Sequence, residues 1–372
     1  MSGAVASDGF FRRLVLPGLA FKAVVIGGGY ATGREIAEFF VGSGPMGGLL
    51  GLLLAMAIWS IVCAVTFEFA RQVQATDYRG FFAELLGPGW IAFEIAYVLF
   101  MILVIAVIAA AAGEIGTALF AWPTWIGTAL LLGLIIAVVS RGTAAAERLF
   151  RYSSVLIYAI YALFLILALA AFGDQIGGKL AASTPGAGWV AGGVTYASYN
   201  VIGAALILPF LRHQSSRRDA LYSGLLAGPL AMLPALGFFL SMIAFTPEIG
   251  EAALPSDFLL TRIGVPWFGF VFQAMIFVAL LETGIGMVNA LEERAVAAVR
   301  SRGGTLPATA RIALSAAIVI GSGVLASKLG LIDLIASGYG VFGWIMLFLF
   351  VVPLLTLGTY RIITRPLEIA ST

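Results

Sequence analysis

Residues 23–40 read AVVIGGGYATGREIAEFF. Both flanks are apolar, yet Gly27, Gly28 and Gly29 stand together at the centre, and Gly33, Arg34 and Glu35 follow. Each glycine in a helix interior costs about 1 kcal/mol relative to alanine, so three in a row favour local unwinding. Within a bilayer, unwound backbone survives only where protein buries it or where it lines a cavity. The stretch therefore predicts a membrane helix interrupted at its middle, at a site.

Composition supports the membrane setting. Residues of types AVILMFWYC make up 61% of the chain, DEKR only 11%, and the mean hydropathy is +1.04. A soluble domain carries about 25% charged residues, so this surface requires lipid. No strand-like alternation is visible, which leaves helices as the spanning elements. Apolar segments fall at 14–40, 45–70, 89–120, 122–140, 149–172, 186–211, 219–245, 266–299, 308–328 and 331–359. These ten spans divide the chain into an N-terminal segment 1–13, a five-helix set 14–172, a connecting loop 173–188, a second set 189–359 and a tail 360–372. Residues 77–88 are amphipathic and are expected at the membrane interface. The long connection 246–264 is expected to hold a short helix. The first apolar run continues past Lys22 to Phe40 without a good small-residue cleavage site, so it reads as the first span rather than a signal peptide.

Loop charge gives an orientation. With the N-terminus inside, sixteen arginines fall on the cytoplasmic side (12, 13, 71, 79, 141, 148, 151, 212, 217, 218, 294, 300, 302, 311, 361 and 365). Only Lys179, Arg262 and Lys328 fall on the other. That bias predicts both termini in the cytoplasm, in a bacterial plasma (inner) membrane.

The second set of five begins with its own irregular helix. Residues 192–210 read GGVTYASYNVIGAALILPF, with Thr195, Ser198 and Asn200 close to Gly203. Interrupted helices at corresponding positions of two halves point to a transporter binding site. The competing explanation is helix packing through small residues. It suits Gly47 and Gly51 in span 2 and Gly224 and Gly228 in span 7, where the spacing is small-xxx-small, better than a triple glycine. The run 27–33 also superficially resembles a dinucleotide fingerprint, but its last glycine is one place late and no βαβ unit surrounds it. One cysteine (Cys63) and one histidine (His213) argue against a disulfide or a zinc or di-iron centre. A net charge of +2 suggests no nucleic-acid partner.

Charges deep in the membrane cost at least about 2.5–3.5 kcal/mol each and call for a partner or a task. Arg34 and Glu38, spaced i,i+4, can satisfy one another, which leaves Glu35 unaccounted for. In span 8, Glu282 lies past the midplane, about 14 residues from the outer end. Ala279, Gly286, Asn289 and Glu293 continue its face, with Thr283 beside it. Ion or proton handling and a structural salt bridge to Lys22 both explain an acid at that depth.

The runs GGGYATGRE (27–35), YASYN (196–200) and LLETGIGMVN (280–289) resemble the YkvI-like membrane proteins of the amino acid–polyamine–organocation (APC) superfamily, over essentially the whole chain. The resemblance implies a LeuT-like fold, with ten core helices in two inverted five-helix repeats and helices 1 and 6 broken around the substrate. Sodium-using relatives of this kind place an ion between carbonyls of span 1 and hydroxyls of span 8. The matching positions are Ala23 and Ile26 with Ala279, Glu282 and Thr283, a carboxylate standing here where a hydroxyl is usual. Na+ and H+ both remain open as coupling ions.

The expected function is alternating-access transport of an amino acid or related zwitterion or amine, with no cofactor and no enzymatic activity. The substrate is expected on Gly27, Gly28, Gly29, Tyr30, Thr32, Tyr196, Ser198, Tyr199 and Asn200. The half-helix from Gly29 would receive an anionic group at its N-terminus, and carbonyls near Ser198 and Tyr199 would receive an amine. Ala23, Ile26, Ala279, Glu282, Thr283 and Glu35 are the ion- or proton-coupling candidates. A ligand sensor of the same fold without flux is the rival reading, and an intramembrane enzyme a weaker one.

Overall fold

The computed structural model describes residues 9–141, 143–214, 216–300 and 303–364, without the side chains of 143–158. The described secondary structure is helical throughout, and ten spans follow the order read from hydropathy. Span 1 comprises the helical pieces Leu16–Val25, Gly28–Thr32 and Arg34–Phe40, and spans 2 to 5 are Gly44–Val73, Trp90–Phe120, Thr124–Val139 and Thr143–Ala181. Span 6 comprises Trp189–Asn200 and Gly203–Leu206, spans 7 and 8 are Arg217–Ile243 and Pro266–Arg300, and span 9 is 308–329, ended by the non-helical Gly330 (φ 74, ψ 172). Span 10 runs over 331–364 through alternating α- and π-helical turns.

Local chemistry sets the boundaries. Pro45 in the first turn starts span 2, where a missing N–H is harmless. Ser216 caps span 7 by accepting from the Asp219 N–H at 3.1 Å. Asp77 does the same for the amphipathic helix Tyr78–Leu86, accepting from Gly80 N–H at 2.9 Å. Its apolar face, Phe81, Phe82 and Leu85, is buried. The long connection after span 7 holds the expected short helix at Pro255–Ile263. The expected loop 173–188 is shorter than its hydropathy suggested, because span 5 continues as helix to Ala181. Its added turns are held by Lys179, whose Nζ donates to the Thr246 carbonyl at 2.6 Å.

The small-residue motifs pack as their spacing implied. A Cβ on Gly224 would strike the span 2 backbone at Cys63 and Ala64, and one on Gly228 would strike it at Met56 and Ser60. Span 7 thus packs backbone to backbone on span 2, its counterpart in the other repeat. Spans 1 and 6 lie at the centre, with span 3, span 8 and span 10 around them. Large apolar side chains instead cover the outside: Leu233 is 69% exposed, Ile166 64% and Phe348 64%. Apolar exposure on that scale marks a surface solvated by lipid. The chain is an integral membrane protein.

Candidate functional site

The break in span 1 is where the sequence put it. Helix Leu16–Val25 ends as Ile26 takes ψ 71, and Gly27 is extended. The Gly27 N–H donates to Val25 O at 2.8 Å, so Ala23 loses the donor a continuous helix would give its carbonyl. The chain winds again at Gly28, but for one turn only. Gly33 adopts a left-handed φ of +80, a conformation that costs glycine little and most other residues more. That second interruption resets the helical phase, and on the helix Arg34–Phe40 the neighbours Arg34 and Glu35 then point about 100° apart.

Arg34 points to the end of the bundle away from the arginine-rich loops. It pairs with Glu38, as the i,i+4 spacing allowed, and donates to the carbonyls of Gly250 at 2.5 Å and Ala252 at 3.0 Å. These bonds tie span 1 to the connection after span 7. Glu35 turns inward. It is only 5% exposed, and its Oε2 accepts from the Tyr199 hydroxyl of span 6 at 2.6 Å. Its other oxygen lies against Gly29 so closely that a Cβ there would collide with it. Gly29 is thus small for a reason beyond unwinding: it makes room for a carboxyl.

Around this carboxyl lies a cavity of about 60 Å³. Its lining includes Gly27, Gly29 and Glu35 of span 1, Tyr199 and Asn200 of span 6, Thr283 and Met287 of span 8, Tyr97 and Phe100 of span 3, and Tyr339 of span 10. The rings of Tyr199 and Tyr339 are 4.8 Å apart, those of Phe100 and Tyr339 5.8 Å, and those of Phe100 and Tyr199 6.2 Å, so three rings form one wall. Tyr339 closes a π-helical turn, Leu334–Tyr339. Such turns gather at functional positions.

Span 6 is interrupted more gently than span 1. Its regular ladder runs to Val201 N–H on Ala197 O, and then Ala204 and Ala205 bond three residues back, to Val201 and Ile202. The carbonyls of Ser198 to Asn200 therefore fall where α-helical pairing gives way to tighter turns.

The residues singled out from the sequence separate into two groups. Gly27, Gly29, Glu35, Tyr199, Asn200 and Thr283 meet at the cavity, and Gly28 begins the short helix beside it. The others lie off it. Tyr30 is fully buried, its hydroxyl donating to Ala231 O of span 7 at 3.4 Å. Thr32 donates to Gly29 O at 2.8 Å, and Ser198 to Val194 O at 2.7 Å, so both hydroxyls serve their own helices. Tyr196 packs among Phe40, Trp59 and Tyr199. Ala23, Ile26, Ala279 and Glu282 do not line the cavity. Glu282 is half-buried one position before Thr283, whose hydroxyl donates to Ala279 O at 3.0 Å. The expected anion receptor at Gly29 is also revised: that half-helix is five residues long, and the Glu35 carboxyl already occupies its approach.

Sequence reasoning missed Tyr97, Phe100 and Tyr339. The only hint was the polar run Ser337-Gly338-Tyr339-Gly340 within an otherwise apolar span.

No family model matches the chain. It is 24% identical over 339 residues to the uncharacterized membrane protein YkvI of Bacillus subtilis, covering 88% of this chain and 92% of that protein. Among solved structures it resembles MhsT in complex with L-phenylalanine, with a TM-score of 0.62 and 17% identity, over 93% of this chain and 96% of that one. A Na+-coupled sialic acid symporter in a substrate-bound outward-open state gives a TM-score of 0.62 at 14% identity, covering 94% and 81%. A manganese transporter of Eremococcus coleocola gives 0.56 at 14%, covering 94% and 79%. At these identities the likeness establishes the architecture: the chain has the LeuT-like fold.

Proposed function

We propose that the protein is a secondary active transporter that carries a small organic solute by alternating access, driven by a Na+ or H+ gradient. The observation that carries this reading is the buried cavity at the span 1 break, where Glu35, Tyr199, Asn200 and Thr283 converge in the middle of the bundle. Polar groups gathered at a pocket inside a membrane bundle need a reason, because at this depth they are costly and concentrate on solute and ion pathways. The architecture shared with symporters and a metal-ion transporter supports the same reading.

We place the coupling ion at the seam of spans 1 and 8. There Gly27 approaches Thr283 so closely that an added Cβ would lie 3.9 Å from its Oγ1. Carbonyl and hydroxyl oxygens suit a hard monovalent cation, and Glu282 next door supplies a carboxyl for a proton or a counter-charge. An ion that binds one arrangement of span 1 better than another biases the cycle by its difference in affinity.

A sensor of the same fold would bind solute without moving it. The two are separated in proteoliposomes given an inward Na+ or H+ gradient and a panel of labelled amino acids and small amines. Transport requires that at least one compound accumulates above its equilibrium level and that an ionophore abolishes the accumulation. Binding without such accumulation for any panel member defeats the proposal in favour of the sensor.

A further inference from the structure

We infer that Glu35 is the residue that fixes solute charge, and that the cavity takes a small organic ammonium rather than a zwitterionic amino acid. This inference names the substrate class for the site proposed above and rests on that site being the solute's.

The cavity's lining contains one charged side chain, Glu35, and no lysine or arginine. Arg34 is adjacent in sequence but points about 100° away around the helix and is held by Glu38, Gly250 and Ala252. Arg294, near Tyr97 on the cytoplasm-biased end, is engaged by Glu94 at 3.1 Å. A solute carboxylate would therefore enter a low-dielectric space with no cationic side chain to meet it. It would also approach the Glu35 carboxylate, and both desolvation and like charge would oppose it. The backbone at Gly29, where the sequence placed an anion receptor, is the surface that Glu35 covers.

An ammonium meets the opposite conditions. An ionised carboxylate offers about four lone-pair positions, and Tyr199 takes one of them. The rings of Phe100, Tyr199 and Tyr339 present faces and edges along the same wall. Such faces attract an organic cation within about 6 Å of a ring centroid. Met287, Val104 and Ile108 complete an apolar lining suited to methyl or methylene groups. Size narrows the class further. At about 30 Å³ for each water's share of liquid volume, a cavity of about 60 Å³ holds on the order of two waters. That corresponds to a solute of about two to three non-hydrogen atoms. Methylammonium and ethylammonium are of this size, tetramethylammonium tests its upper limit, and long polyamines exceed it.

The test uses the purified full chain and four probes: methylammonium, tetramethylammonium, glycine and sodium chloride. At saturation at least one ammonium should raise the melting temperature by ~2 °C or more, while glycine raises it less. Glu35→Gln should abolish the ammonium shift, and Glu114→Gln, which alters a half-buried acid of span 3 outside this cavity, should keep it. Because Glu35→Gln could unfold the protein, Glu35→Asp provides the second variant: it retains the charge on a shorter arm. It should weaken ammonium binding at least threefold while preserving the preference for ammonium over glycine. Equal or stronger stabilisation by glycine would overturn the inference. So would an ammonium shift that survives in Glu35→Gln, or a Glu35-dependent shift with sodium and none with ammonium. The transport reading fails separately: a Glu35-dependent ammonium shift without gradient-driven flux leaves the charge assignment standing and removes only the movement.

Discussion

Two membrane-embedded glutamates, Glu35 in span 1 and Glu282 in span 8, have similar hydropathy signatures and different surroundings. Each sits inside an apolar span close to a small or hydroxylated residue, Gly33 two positions before Glu35 and Thr283 directly after Glu282. In the fold, Glu35 is almost wholly enclosed, bonded by Tyr199 and seated against Gly29 at the cavity. Glu282 is half-buried and lies off the cavity, while its neighbour Thr283 reaches it. The difference teaches that depth in the bilayer identifies an acid that needs an explanation, whereas direction decides which one. We read Glu35 as the acid that meets solute and Glu282 as the acid that meets the coupling ion.

The strongest way to break that division is to move the Glu35 carboxyl without removing it. Gly29→Ala places a methyl group where Glu35 Oε1 rests, and the flexible end of the glutamate is the part able to yield. The protein should still fold and purify, because only that side chain must move. Solute affinity should fall by about 100-fold, the ~3 kcal/mol that a buried, hydrogen-bonded charge pair is typically worth when broken. Calorimetric titration of wild type and Gly29→Ala with the best-bound ammonium measures this directly. An affinity within threefold of wild type would mean that the Glu35–Gly29 contact is packing alone.

A smaller effect is expected at the aromatic wall. Phe100→Leu removes one ring and keeps an apolar side chain, so cation–π attraction falls while the cavity stays greasy. Ammonium affinity should drop about 3- to 30-fold, the range for 0.5–2 kcal/mol. The loss should be larger for tetramethylammonium than for methylammonium, since the quaternary ion has no N–H to give Glu35. Equal losses for the two would show that the ring shapes the pocket without contacting the charge.

Much of this arrangement was legible in the sequence, for identifiable reasons. The break at Gly27–Gly29 could be read because glycine carries its information in the backbone, which a single residue type reports. The Arg34–Glu38 pair could be read because i,i+4 spacing is local. The direction of Glu35 could not, since counting residues around a helix assumes one continuous phase and Gly33 resets it. The aromatic wall was hidden for another reason: in an apolar span, a tyrosine facing lipid and one facing a cavity read alike. Tyr360 is 66% exposed and Tyr339 is 3% exposed, on the same span. Only the packing of spans 3, 6 and 10 distinguishes them.

The smallest expected effect on solute binding, and the sharpest test of the division of labour, belongs to Glu282. Glu282→Gln preserves shape and hydrogen-bonding capacity but can neither carry a proton nor balance a cation by charge. Because Glu282 lies off the cavity while Thr283 reaches it, the substitution should leave solute affinity within about threefold of wild type, less than the ~1.4 kcal/mol that a tenfold change represents. Accumulation driven by a Na+ or H+ gradient should nevertheless fall to the equilibrium level, since the ion no longer favours one conformer. Exchange of labelled for unlabelled solute, which needs the cycle but no net ion movement, should continue. Measured together on one proteoliposome preparation, the three quantities separate the assignments. Loss of affinity with accumulation retained would exchange the roles of the two glutamates. Loss of folded protein, restored by also neutralising Lys22, would make Glu282 half of a structural ion pair. Lost accumulation with affinity and exchange preserved is the pattern expected if spans 1 and 8 hold the ion and spans 1 and 6 hold the solute.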